Sequence, residues 1–345
     1  MSPSSPGPIR LGTRGSVLAR TQTEWVAAAL RRLGHDVEIT VISTRGDATA
    51  VAGQRPSSDI PVARLGGDGV FVRELQRALL EDRIDLAVHS LKDLPTAPVE
   101  GLALAGVPAR ENPFDVLVGR TAPSVEALPR GAIVGTSSIR RVVQLKRLRP
   151  DIVVREIRGN VDTRLRRLDT GEYDAIVLAA AGLARLGLTG RVTEILRPDR
   201  FWPAVGQGAL GLEARVGDHA TRDRIAPLDD RDTRLAVVAE RSCLAALAGG
   251  CLAPVAGLGR VENGKLLLGC CVFGEADGSV VRLVEECSAA IDGEPRPAVA
   301  DGLARSAETL GRHVAARLEA AGATPLLEAY RRTATPDRDG EPPGD

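Results

Sequence analysis

The sequence is poor in aromatic residues: four Phe, two Trp and two Tyr make up 2% of its 345 residues. Its cores must therefore be built from Leu, Val, Ile and Ala, and it lacks the aromatic platforms on which nucleic-acid bases stack. Net charge is lacking too, with 45 basic against 45 acidic side chains, which gives no support to general polyanion binding. Lysine is nearly absent, at Lys92, Lys146 and Lys265 alone. Arginine carries the remaining positive charge, so only its placement is informative. No apolar run approaches the ~18 residues of a membrane-spanning helix. Residues 1–8 are polar, with no apolar signal region behind them. The expectation is a cytoplasmic protein without membrane or nucleic-acid partners. Five cysteines (Cys243, Cys251, Cys270, Cys271, Cys287) form an odd set whose spacing fits no common zinc site. No metal is expected, and a cysteine that matters should matter as a thiol.

What is present over the first 230 residues is an alternation of short apolar runs and amphipathic helices, the α/β pattern. Strands are expected at 9–12, 37–43 and 84–89, and helices at 16–33 and 70–82, the latter with Val70, Leu75, Leu79 and Leu80 near one face. The polar, Gly/Pro-rich stretch 45–69 reads as a mobile loop. A second unit starts near Phe114, with strands at 133–135, 152–157 and 175–179 and helices at 138–149 and 161–168. A strand at 210–213 has no partner nearby and is expected to return to the first unit. From Asp232 the pattern changes to a helix over 233–247, three strands (253–261, 265–273, 280–288) and a last helix over 297–320. Glu262–Asn263–Gly264 and Ala276–Asp277–Gly278 suit hairpin turns. The expected domains are 8–112 plus 204–228, 113–203 and 229–333, with disordered tails at 1–7 and 334–345.

Four segments look unlike ordinary core, each with polar residues at a strand end, where α/β folds present ligands. In Gly12–Thr13–Arg14–Gly15–Ser16 a glycine-flanked turn opens a helix and offers N–H groups to an anion. A plain capped helix start, with Ser16 as N-cap, is the other reading. In the second segment a buried strand delivers His89, Ser90, Lys92 and Asp93 into one loop. A carboxylate beside cations in a cleft can act as acid or base, or stabilise a developing cation. A polar loop with a hydrogen-bonded core histidine is the alternative. Between Gly131 and Thr170, nine arginines and one lysine face four acids. Two helix-opening turns lie among them, Gly135–Thr136–Ser137–Ser138 and Arg158–Gly159–Asn160. Arginine forks bind carboxylates or phosphates bidentately, whereas Arg147, Arg149, Arg166 and Arg167 read as solvated charges. In the fourth segment the Gly249–Gly250 pair after a helix places Cys251 on an exposed turn, the best candidate for covalent chemistry. Cys243, Cys270 and Cys271 read as small buried hydrophobes.

Together these segments resemble the porphobilinogen deaminase family. The match rests on VHSLKDLP (88–95), GTSSIRR (135–141), RGNVDTR (158–164), PAVGQG (203–208) and the glycine pair before Cys251, in the family's order and across nearly the whole chain. The resemblance implies an α/β fold of two periplasmic-binding-protein-like (type II) domains plus a C-terminal α+β domain with a three-stranded antiparallel sheet. It implies a transferase of tetrapyrrole and heme biosynthesis, a hydroxymethylbilane synthase. Such an enzyme condenses four porphobilinogens head to tail on a dipyrromethane cofactor with loss of ammonia, then releases hydroxymethylbilane by hydrolysis. The cofactor would be joined by a thioether to Cys251, and the family's catalytic aspartate falls on Asp93. Every pyrrole carries an acetate and a propionate, which gives the arginines a purpose. By resemblance Lys92, Ser138, Arg140, Arg141, Arg164 and Arg185 hold the cofactor's carboxylates. Arg14, Ser16, Arg158 and Gln207 are placed on the substrate side, Gln207 in a hinge segment between the first two domains. A monomer is expected.

The sequence departs from the family at Asp68, where many relatives have a lysine, and the stretch 48–60 is longer than in common bacterial relatives. No binding role is expected of Asp68. A non-catalytic anion-binding protein of the same architecture is the rival reading, and it leaves Cys251 and Asp93 without a purpose.

Overall fold

The computed structural model describes residues 7–42, 70–247, 253–276, 279–291 and 297–334. Cys251, the Gly249–Gly250 pair, the stretch 45–69 with Asp68, the turn at Asp277–Gly278 and the tails 1–6 and 335–345 lie outside the described residues.

The first sheet contains β1 (Ile9–Thr13), β2 (Val37–Val41), β3 (Leu86–Ser90), β4 (Leu102–Gly106) and β10 (Leu210–Arg215), in the order β2-β1-β3-β10-β4. β1 runs parallel to β2 and β3, while β10 lies antiparallel between β3 and β4. The expected return of the chain to the first unit is this strand. Helix α1 (Val17–Arg32) is capped by Ser16, whose Oγ accepts from the Ala19 amide at 3.3 Å. Helix α2 (Val70–Leu80) buries Leu75 and Leu79, but Leu80 is 52% exposed. At 100° per residue, Leu80 turns off the face that Leu75 and Leu79 share.

The second sheet contains β5 (Asp115–Gly119), β6 (Ile133–Gly135), β7 (Val153–Arg155), β8 (Ala175–Ala179) and β9 (Glu194–Leu196), in the order β7-β6-β8-β5-β9. Its helices are α3 (Ile139–Leu148), α4 (Val161–Asp169) and α5 (Ala180–Arg185). Strands β4, β5 and β9 are additions to the sequence reading. Arg149 and Arg167, read there as solvated charges, are engaged. Arg149 donates to the carbonyls of Val125, Glu126 and Leu128 and pairs with Asp151. Arg167 lies 5.2 Å from the Tyr173 ring centroid and pairs with Glu172.

After α6 (His219–Ile225), the third unit opens with α7 (Arg231–Ala246), capped by Asp230. β11 (Val255–Glu262), β12 (Lys265–Ala276) and β13 (Ser279–Ala290) form an antiparallel sheet. Its first hairpin turns through Asn263 and Gly264 at φ 52° and 69°, the left-handed pair that a two-residue turn requires. Cys270 packs with α7 and α8 (Pro297–Ala320) on one face, and Cys271 packs against Trp202 on the other, so both thiols are core as read. Cys243 is also buried. The chain turns at Gly322 and continues as α9 (Ala323–Ala334), a helix beyond the expected last one and one residue into the expected tail. Among the described residues no helix is long and apolar enough to cross a membrane, and no His/Cys/Asp/Glu cluster could hold a metal ion.

Candidate active site

β3 is buried along its length and ends at Ser90, where a 3-10 turn of Leu91–Asp93 begins. Leu91 and Leu94 point into the core, which leaves Lys92 half-buried and Asp93 exposed. His89 is a satisfied core side chain. Its Nε2 lies 3.0 Å from Glu213 Oε2, and Gln76 Nε2 donates to Glu213 Oε1 at 3.0 Å.

A buried carboxylate organises the facing unit. Asp115, at the start of β5, is fully buried and accepts from Arg140 Nη1 at 2.7 Å and from Arg141 Nε and Nη2 at 3.0 and 2.6 Å. Arg140 Nη1 also donates to the Trp202 carbonyl, and Arg141 Nη1 to the Val177 carbonyl. Arg140 and Arg141, expected on cofactor carboxylates, are therefore committed inside the protein. Two buried guanidiniums need a counter-charge, and Asp115 supplies it. Burial alone would raise the Asp115 pKa, but the two guanidiniums outweigh it and hold the carboxyl far below the usual range.

Gln207 joins the units. It is fully buried, donates from Nε2 to Asp115 Oδ1 at 3.0 Å and to the Pro113 carbonyl at 2.8 Å, and its Oε1 accepts from Lys92 Nζ at 3.4 Å. A hinge position fits this placement. Burial pushes Lys92 down to about 8, with Asp93 and Asp115 favouring its charge and Arg141 and Arg140 opposing it.

Arg164, from the first helical turns of α4, is pushed down to about 10 by burial and by repulsion from Arg141, while Asp93 favours its charge. The charge of Asp93 on the first unit is thus felt at Arg164 on the second. Arg185 is lowered by burial and donates to the Gly208 carbonyl at 2.7 Å. Ser138 opens α3, and its hydroxyl makes no cap bond. Arg158 is exposed and paired with Glu156, Arg14 is half-buried after β1, and the Ser16 hydroxyl is engaged by α1.

Sequence reasoning missed Asp115, Arg110, Glu240 and Arg241. Glu240, fully buried in α7, accepts from Arg110 Nη1 at 2.5 Å, from the Gly206 amide at 2.6 Å and from the Gly259 amide at 2.7 Å. Arg110 Nε in turn donates to the Gln207 carbonyl at 2.7 Å. The readable signal was an acid on the helix face that carries Ala236 and Cys243.

Two family models match the chain. One, described as porphobilinogen deaminase, dipyromethane cofactor binding domain, covers residues 9–223; the other, its C-terminal domain, covers residues 234–320. A porphobilinogen deaminase of Syntrophobacter fumaroxidans is 45% identical over 327 residues, covering 94% of this chain and 98% of that protein. One from a Roseiflexus species is 48% identical over 281 residues, covering 81% and 90%. Among solved structures, a periplasmic substrate-binding protein from Coxiella burnetii aligns with a TM-score of 0.40 at 15% identity, over 64% of this chain and 91% of that one.

Proposed function

The chain belongs to the porphobilinogen deaminase family, and we propose that Asp93 is its catalytic carboxylate and Cys251 the anchor of its cofactor. It is a transferase of porphyrin and heme biosynthesis. It condenses four porphobilinogens on a dipyrromethane cofactor with loss of ammonia and releases hydroxymethylbilane by hydrolysis. What supports the residue assignment is the exposed Asp93 on the turn that ends β3, next to Lys92; the charge of Asp93 also favours that of Arg164 on the facing unit.

The residues present fit a polycarboxylate pyrrole. Lys92, Arg164 and Arg185 are all lowered by burial, and Arg141 repels the first two. Cations in that condition gain from added carboxylates. The bound dipyrromethane supplies the nucleophilic pyrrole carbon from which the chain grows. Lys92, Ser138, Arg164 and Arg185 hold its carboxylates, while Arg14, Ser16 and Arg158 receive those of the incoming substrate. Arg140 and Arg141 contribute positive potential and hold α3 to β5 through Asp115. Asp93 takes and returns protons at the substrate's amine and pyrrole nitrogen, and its charge stabilises the cation left when ammonia departs. A cytoplasmic monomer is part of the same proposal.

The test is the intact mass of the denatured protein beside its Cys251→Ser and Asp93→Ala variants. The proposal expects a wild-type excess of two linked pyrrole units, missing from Cys251→Ser. It expects the excess to persist in Asp93→Ala, with turnover nearly abolished. An excess retained in Cys251→Ser moves the anchor elsewhere, and normal turnover in Asp93→Ala removes that carboxylate from catalysis.

A further inference from the structure

We infer that Arg241 is a positioning residue for Asp93, an inference that rests on the catalytic role proposed for that carboxylate. Arg241 lies on α7 and reaches out of the third unit to the catalytic turn of the first. Its Nη1 donates to the Leu94 carbonyl and its Nη2 to the Pro95 carbonyl, each at 2.7 Å. These are the two carbonyls that follow Asp93 in the chain. One turn earlier on the same helix face, Val237 packs with Leu91 and Leu94 in a single apolar cluster. α7 therefore holds the turn from its core side and from its exit.

The turn needs that hold. A 3-10 turn of three residues has poor hydrogen-bond geometry of its own. Here it is closed by the Leu94 amide on the Leu91 carbonyl at 3.2 Å and tied to the sheet by the Leu91 amide on the Ala209 carbonyl at 3.0 Å. Neither bond restrains the chain after Leu94. The planar fork of arginine spans two successive carbonyls, which a single ammonium does not. α7 ends at Ala246, five residues in sequence before Cys251. The helix that fixes the acid is thus the one that precedes the proposed anchor in sequence.

The test compares Arg241→Met, Arg241→Lys and Asp93→Ala holoenzymes, with kcat counted per cofactor-loaded molecule by intact mass. Arg241→Met keeps the aliphatic stem and removes both donors. Its kcat is expected to fall ~10- to 100-fold, the scale of a misplaced catalytic group, with KM for porphobilinogen within about twofold. Arg241→Lys should recover part of the loss. In cofactor-free protein, hydrogen exchange at the Leu94 amide should rise in Arg241→Met and not in Asp93→Ala. A wild-type kcat per loaded molecule in Arg241→Met, or unchanged exchange at Leu94, overturns the inference while the Asp93 assignment stands. Wild-type turnover in Asp93→Ala removes both.

Discussion

Raising the pH should loosen the protein's hold on pyrrole carboxylates at one residue before the others. Burial pushes Lys92 down to about 8, whereas neighbouring Arg164, at about 10, keeps most of its charge to higher pH. Lys92 is then about nine-tenths charged at pH 7 and about one-tenth charged at pH 9. A hydrogen bond from an ammonium to a carboxylate contributes ~1.5–3 kcal/mol, so its loss weakens binding ~10- to 100-fold. The assay is cofactor uptake: cofactor-free protein is mixed with porphobilinogen between about pH 6.5 and 9.5, and intact mass is followed in time. Cys251 gains reactivity over the same range as its thiolate forms, which would mask the effect in wild type alone. The ratio of wild type to Lys92→Arg at each pH cancels that gain. Normalised at pH 6.5, this ratio should fall through about pH 8 and reach the Lys92→Met level near pH 9.5. Stability should move the other way. Lys92 is lowered from 10.5, so between pH 8 and 10.5 the unfolded chain binds the extra proton and folding becomes more favourable as pH rises. A flat ratio, or the same fall in Lys92→Met, refutes the reasoning.

Asp115→Asn should destabilise the second unit by ~3–5 kcal/mol, read from its urea transition, because it strands Arg140 and Arg141 in a buried site. The depressed pKa of Asp115 means its contribution is full above the usual carboxylate range and is lost only as the pH falls through its lower folded value; wild-type protein should show no loss from this group between pH 7 and 5. Gly208→Ala should cost at least ~2 kcal/mol or prevent folding. Gly208 sits at φ 87°, and an added Cβ would lie 2.3 Å from the Glu111 carbonyl oxygen.

How much of this was legible depends on how local each feature is. β3 was readable because a strand buried on both faces leaves a continuous apolar run, and Ser16 because an N-cap and its helix are neighbours in sequence. β9 was not, since Glu194–Leu196 is three residues long and takes its conformation from pairing with β5. The arginines of GTSSIRR were legible as a cluster, but not by destination. Arg140 and Arg141 look like Arg164 in composition, and only the fold shows that Asp115, some 25 residues away, claims the first two. Arg241 illustrates the same limit: an arginine on a helix reads as solvated until a turn almost 150 positions earlier comes to rest under it.

The partition of these charges explains how a chain of zero net charge can select a polyanion. Asp115 is one carboxylate against two guanidiniums, so the buried group carries an excess positive charge where water screens it poorly. That excess falls on Lys92 and on Arg164, which are already short of solvent. The acid on the catalytic turn is Asp93, whose charge favours theirs. An incoming carboxylate relieves repulsion that the folded protein has built in at Lys92 and Arg164, so attraction is concentrated there. The same arrangement sets Asp93 apart. A carboxylate on that turn can stabilise the positive charge that develops as ammonia leaves. Removing charge from Lys92 or Arg164 should therefore weaken the hold over carboxylates. In Arg164→Gln the uptake of cofactor from porphobilinogen at neutral pH should slow, and an unchanged rate would show that the carboxylates are held elsewhere.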